Sequence, residues 1–179
     1  MVQPSSAGLI VRKAELRDAP GISRVCSDGW RDTYVSIHTP EEIERVVSKY
    51  YSLERICSEI DGQVEWDGAA YDWDGWLVAE RGDGRVVGAS GGGPTGERTW
   101  EVFALYLDPS ERRRGIGRAL LDAMTDQARA RGASEQWVAV TAENLKGIPF
   151  YEAMGFVTAS ESDSPSGVKS LRMMRLTQP

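Results

Sequence analysis

The sequence predicts one sheet with helices packed on its faces, an α/β or α+β architecture, and three observations lead there. Seven short segments have strand character: they alternate apolar and polar residues or form brief apolar runs bounded by turn residues. Segments whose apolar residues fall three and four apart lie between some of them. The resulting order, β-α-α-β-β-β-α-β-α-β-β, is carried by 179 residues of which 41% are hydrophobic, a size that suits a single domain with its own core.

LIVRKA (9–14) alternates like a half-buried strand, and Asp18 and Pro20 then supply start signals for a helix over about 19–29. Thr39-Pro40-Glu41-Glu42 has the form of a capping box with proline at the first helical position, opening EEIERVVSKYY. Ser52 is placed to cap a shorter helix through Ile60, and the front part reads as strand, helix, helix. Residues 61–75, rich in Gly, Asp and aromatics without a period, read as a loop. WLVAE and RVVGASG flank RGDG as a hairpin, TWEVFALYL follows as a third strand, and Asp108-Pro109 ends it. In GRALLDAMTDQARARG, Leu120, Leu121, Met124 and Ala128 fall on one helical face, with Gly132 as the stop. WVAVTA is a short strand. PFYEAM, with Gly155 behind it, is a short helix that tolerates Pro149 only in its first turn. FVTAS and LRMMRL close the chain as strands on either side of the turn SDSPSG. No internal repeat, heptad pattern or low-complexity tract interrupts this order.

The net charge of -6 and a pI near 4.9 argue against a nucleic-acid partner, which calls for a basic face. No apolar run approaches the roughly 20 residues that cross a bilayer, and MVQPSSAGLIVRKAE lacks the basic and long apolar parts of a secretory signal. The expectation is a soluble protein with no membrane partner, resident in the cytoplasm. Cys26 and Cys57, without CxxC spacing, read as buried free thiols. His38, the sole histidine, precedes a helix cap and reads as a loop residue, so no metal site and no catalytic triad are expected.

Against this acidic background ERRRGIGRAL (111–120) stands out. A turn that enters a helix through Gly-x-Gly leaves backbone N–H groups unpaired at the positive end of the helix dipole, where an anion can approach closely. Arg112, Arg113, Arg114 and Arg118 add charge around it. The pattern is that of a phosphate site, and a solvated turn before a helix has the same composition. Other phosphate motifs fit worse: SGGGPTGER (90–98) lacks the lysine of a P-loop, and a dinucleotide fingerprint would need a third glycine here.

LYLDPSERRRGIGRALL resembles the acetyl-CoA signature of the GNAT N-acetyltransferase superfamily, R/Q-x-x-G-x-G/A after a strand, with Arg112, Gly115 and Gly117 on the defining positions. ENLKGIPFYEAMGF is similar to the later motif of that family and places Asn144, Phe150, Tyr151, Gly155 and Phe156 on matching positions. IVRKAELRDAPGISRV and Trp30-Arg31-Asp32-Thr33-Tyr34 are similar to family N-termini, so the resemblance spans nearly the whole chain as one N-acetyltransferase domain over 1–179. Pro149 departs from the family, which has an ordinary helix former there. The resemblance implies a mixed, mostly antiparallel, twisted sheet of about six or seven strands whose fourth and fifth strands splay apart.

It also implies acetyl-CoA as cosubstrate. Leu105, Tyr106 and Leu107 would offer main-chain groups to its pantetheine arm, and the amides from Arg113 through Gly115, Ile116 and Gly117 to Arg118 would hold its diphosphate. Direct transfer to an amine requires a base, because an ammonium has no lone pair to attack with. Glu101, four residues before Leu105, corresponds in position to the base of some relatives. Period-two geometry puts it on one face with Phe103 and Leu105, opposite Val102 and Ala104; a solvent-exposed strand carboxylate is the other reading. Tyr151 matches the residue that protonates the departing sulfur, or is a core tyrosine. Asn144 holds the pantetheine or fixes the following turn. Trp30, Tyr34, Trp66, Tyr71 and Trp73, with Asp67, Asp72 and Asp74 nearby, offer aromatic surface and negative charge to a cationic small-molecule amine, although most aromatic residues simply pack. A protein N-terminus or lysine is an alternative acceptor, and a non-catalytic acyl-CoA sensor is the alternative outside enzymes. Pairing as a homodimer is implied by the resemblance alone.

Overall fold

The computed structural model describes residues 8–62, 73–163 and 168–178. Seven strands form one sheet: β1 (Leu9–Lys13), β2 (Trp76–Arg81), β3 (Val86–Pro94), β4 (Thr99–Leu107), β5 (Glu135–Thr141), β6 (Val157–Asp163) and β7 (Lys169–Leu176), in the spatial order β1-β2-β3-β4-β5-β7-β6. All neighbours are antiparallel except β4 and β5, so the sheet is mixed as expected. The helices are α1 (Ala19–Tyr34), α2 (Pro40–Tyr50), α3 (Leu53–Ile60), α4 (Ile116–Ala130) and α5 (Gly147–Ala153). The front part therefore holds three helices rather than two. Thr39 caps α2 in a complete capping box, and Ser52 accepts from the Arg55 amide to start α3 separately. Among the described residues no helix is long and apolar enough to cross a membrane.

Two apolar layers cover the sheet. Leu120, Leu121, Met124 and Ala128 of α4, all fully buried, meet Leu77, Val87, Trp100, Val102, Val138 and Met173 on one face. Truncating one of these leucines to alanine costs about 2–5 kcal/mol, because such a site collapses only partly. On the other face Ile22, Val25 and Cys26 of α1 and Ile56 of α3 pack on Trp76, Val78, Ala89 and Ala104. Cys26 is buried and Cys57 half-buried, and both are free thiols. Helix α1 runs to Tyr34, five residues past the expected end at about 29. Gly29 sits in the helix interior because a Cβ there would lie 3.1 Å from Tyr106 Cβ, so it serves close packing rather than termination.

The β3–β4 register places Gly92 opposite Val102 and Gly91 opposite Ala104, leaving Phe103 as an extra residue in β4. This bulge corrects the period-two expectation. Trp100 and Val102 enter the α4 side of the core, Ala104 and Tyr106 the α1 side, and Leu105 and Leu107 return to the α4 side. Glycine is required opposite the bulge, since a Cβ on Gly92 would stand 2.2 Å from the Glu101 carbonyl oxygen and one on Gly91 would stand 2.1 Å from the Trp73 ring. The parallel β4–β5 ladder ends at the same level, at Val102 opposite Val138. Beyond it β4 pairs only with β3 and β5 only with β7, so the two facing edges diverge with their main-chain groups turned toward each other.

Candidate active site

The divergence opens a cleft of about 280 Å³. Val102 to Leu107 form one wall and Val138, Ala139 and Val140 the other. Thr33 and Tyr34 of α1 and Phe150 and Tyr151 of α5 also line it, and Arg112, Arg113 and Gly117 line the end nearest α4. Leu105, Tyr106 and Leu107 thus stand on the cleft wall.

At the α4 end the backbone is unusual. Arg113 has φ of 59°, the one positive value among the described non-glycine residues, and Gly115 follows at 78°. A left-handed arginine is strained, and such strain gathers where a loop has to present its amides in one direction. Asp108 caps the short turn 109–111 by accepting from the Ser110 amide, and buried Glu111 accepts from Arg81 at 2.6 Å and Arg85 at 3.0 Å, which pins the loop to the β2–β3 hairpin. By contrast α4 starts at Gly115 with no side-chain cap, so its first N–H groups are left for another acceptor. A Cβ on Gly117 would lie 3.2 Å from Phe150 Cε2, whereas around Gly115 there is open space. This donor set fits a diphosphate. The side chains divide differently: Arg113 and Arg118 are exposed, Arg114 lies 3.6 Å from Glu111, and Ile116 is buried in the core, so only its amide could serve a ligand.

Tyr151 lines the cleft and is buried, edge-on to Phe150 and Phe156. Burial pushes its phenol well above the ordinary value, and nearby Tyr34 adds to this. Tyr34, Tyr51 and Tyr106 are raised by the same desolvation, and Tyr34 is met by the side chains of Thr141, Asn144 and Tyr106. Asn144 lines the cleft while its Oδ1 accepts from the amides of Gly147 at 2.8 Å and Lys146 at 3.2 Å, so it fixes the turn into α5. Glu101 lies beside the cleft rather than in its lining. Its Oε2 accepts from Arg172 Nη2 at 3.1 Å and its Oε1 from Nη1, while the Arg172 guanidinium stands 5.5 Å over the Trp137 ring.

The family model described as "Acetyltransferase (GNAT) family" matches residues 41–156, more than half of the chain. The chain belongs to the GNAT acetyltransferase family. Mycothiol acetyltransferase of Beutenbergia cavernae is 37% identical over 81 residues, 45% of this chain and 27% of that protein. Spermidine N(1)-acetyltransferase of Thermoplasma acidophilum is 25% identical over 146 residues, 82% and 86% of the two chains. The chain spans 27% to 40% of the length of the first curated relatives it matches. The crystal structure of PaiA N-acetyltransferase from Thermoplasma acidophilum in complex with coenzyme A superposes with a TM-score of 0.77 over 94% of this chain and 98% of that one, at 24% identity. The GNAT fold is thereby shown.

On the acceptor side of this GNAT domain, Trp30 stacks on Tyr34 with centroids 3.9 Å apart and on His38 at 5.7 Å, but only Tyr34 reaches the cleft. Trp73 stacks on bulged Phe103 at 6.2 Å. Asp74 is drawn away from any acceptor: it accepts from Trp100 Nε1 at 2.8 Å and from Arg131. Trp66, Asp67, Tyr71 and Asp72 lie outside the described residues. The sequence did not single out Arg172, nor Asp32 and Lys146, which meet across the mouth of the cleft: Asp32 Oδ2 accepts from Lys146 Nζ at 2.6 Å and from Arg112. These partners come from distant segments, so no local pattern marks them.

Proposed function

We propose that this chain is an acetyl-CoA-dependent N-acetyltransferase that acts on the primary amine of a small molecule. The observation that carries this reading is the uncapped, glycine-opened start of α4 at the end of the parted β4–β5 edges. The amides from Arg113 to Arg118 hold the diphosphate, and the free edge of Leu105 to Leu107 binds the pantetheine arm as a strand would. Together they set the thioester near the Phe103 bulge and Tyr151. Acetyl-CoA supplies the activated acyl group.

The amine lone pair forms the new C–N bond as the C–S bond breaks, and the nitrogen sheds one proton. Glu101 takes that proton through water: each carboxylate oxygen keeps a lone pair beyond its bond to Arg172. Tyr151, like any phenol, carries its proton at neutral pH, and its hydroxyl donates to the departing sulfur, where negative charge develops. A small amine is favoured over a protein segment by the similarity to a spermidine acetyltransferase, which covers 82% of this chain and 86% of that protein. One observation favours a non-catalytic acyl-CoA-binding module, namely that Arg172 holds both oxygens of Glu101. A panel of small amines and peptides assayed for thiol release from acetyl-CoA separates the readings. Turnover with small amines, reduced in Glu101→Gln, supports the first; peptide-only turnover makes the acceptor a protein, and coenzyme A binding without turnover supports the module.

A further inference from the structure

Asp32 occupies an unfavourable place for an acid. It lies in the last turn of α1, where the helix dipole presents its negative end, and no carbonyl can satisfy a carboxylate there. What holds it is tertiary. Lys146 Nζ donates to Oδ2 at 2.6 Å and to the Asp32 main-chain oxygen at 3.0 Å, and Arg112 Nη1 donates to the same Oδ2. One carboxylate oxygen thus receives two cations, one from the loop before α4 and the other from the loop before α5. Both cations line the cleft, at the end where the backbone amides are presented.

The chemistry of that oxygen is the chemistry of a phosphate oxygen: anionic, monodentate and bridging two cations. Asp32 is 38% exposed on its side chain, Arg112 30% and Lys146 54%, so the bridge is screened by water and weak enough to exchange. The Lys146 hydrogen bond foremost, and that of Arg112 with it, keep the Asp32 carboxyl below the ordinary range, so it remains charged throughout the neutral range. An incoming ligand with several phosphate oxygens offers the same two cations more negative charge than one carboxylate can.

We propose that Asp32 is a built-in occupant of the phosphate end of the cleft, an intramolecular competitor that coenzyme A displaces in order to claim Lys146 and Arg112. Lys146 thereby becomes a cofactor-binding residue held in reserve, and Asp32 sets how tightly the cofactor is held. Asp32 precedes Thr33 and Tyr34, which line the cleft from the same turn of α1.

This inference rests on the diphosphate lying at 112–118, and calorimetric titration with coenzyme A, without acceptor or turnover, tests the two separately. Asp32→Asn is expected to tighten binding about 3- to 10-fold at low salt, the worth of one or two exposed ion pairs. Lys146→Gln is expected to weaken it several-fold. The deciding measurement is Asp32→Asn in the Arg112→Gln/Lys146→Gln background, where competition has nothing left to compete for and the gain should vanish. A gain that persists undiminished there means simple repulsion between Asp32 and the ligand and overturns the latch. Weaker or unchanged binding in the single Asp32→Asn variant overturns it as well, because Asp32 would then position the cations or be idle. If instead Gly117→Glu binds coenzyme A as well as wild type does, the phosphate site itself is misplaced and the latch falls with it.

Discussion

Gly117→Ala separates the fold from the proposed phosphate site more cleanly than a drastic substitution. The new methyl would lie 3.2 and 3.3 Å from Phe150 Cε2 and Cζ and 3.6 Å from Leu107 Cδ1. The first two contacts are with the edge of a half-buried ring that can give by a few tenths of an ångström, and the third is ordinary. Against that crowding, alanine in the first turn of α4 gains about 0.5–1 kcal/mol over glycine by lowering the entropy of the unfolded chain. The two effects nearly cancel, so the melting temperature should move by no more than about 2 °C, given about 2–4 °C per kcal/mol at this size. Binding should respond differently. On the proposed placement the methyl stands where a phosphate approaches the amides of α4, and losing one charge-assisted hydrogen bond costs about 1.5–3 kcal/mol, equivalent to about 10- to 150-fold in Kd. Calorimetry with coenzyme A and a thermal scan on the same sample read both. Gly132→Ala, at the far end of α4 where φ is 77° and a Cβ meets nothing, is the control: it should cost about 1 kcal/mol of stability and leave binding alone. A Gly117→Ala protein that keeps its melting temperature and binds coenzyme A within twofold of wild type refutes the placement of the phosphates.

Glu101→Gln should lower kcat at neutral pH by about 100-fold while the Kd for acetyl-CoA changes little, as expected for loss of a base; equal rates under saturating substrate remove Glu101 from the chemistry. Tyr151→Phe should slow thiol departure by a similar factor of about 100, read in single-turnover experiments, with coenzyme A affinity nearly intact. Glu111 is held below the ordinary carboxylate range chiefly by the Arg81 hydrogen bond, so the stability it contributes is present above the unfolded value near about 4.3 and is lost as pH falls through its lower folded value. Glu111→Gln should therefore cost about 2 kcal/mol at pH 7, about 4–8 °C in melting temperature, and show a flatter acid limb than wild type. A loss that is the same at both ends of the acid range would mean that the Arg81–Glu111–Arg85 cluster does not anchor the loop.

What the sequence revealed of this molecule tracks how local each cause is. Strand β4 was legible from end to end in TWEVFALYL, and α4 in its apolar face, because both patterns are written in consecutive residues. The bulge at Phe103 was not, because its cause lies on the neighbouring strand, where Gly91 and Gly92 make room for Trp73 and the Glu101 carbonyl. The end of α1 was likewise read five residues short, and Gly29 inside the helix lets α1 approach Tyr106. The proposed phosphate end was visible as Arg-x-x-Gly-x-Gly, a motif six residues long. The charge pairs beside the cleft were invisible: Lys146 meets Asp32 across 114 positions and Arg172 meets Glu101 across 71. Charged side chains are placed together by the topology of the sheet, and a single sequence carries no mark of which carboxylate a given arginine will find.

The central claim is a location. A crystal structure of the protein grown with coenzyme A should show diphosphate oxygens within hydrogen-bonding distance of the amides between Arg113 and Arg118, with the pantetheine arm along Leu105 to Leu107. Coenzyme A bound at another surface while that loop stays bare would contradict it.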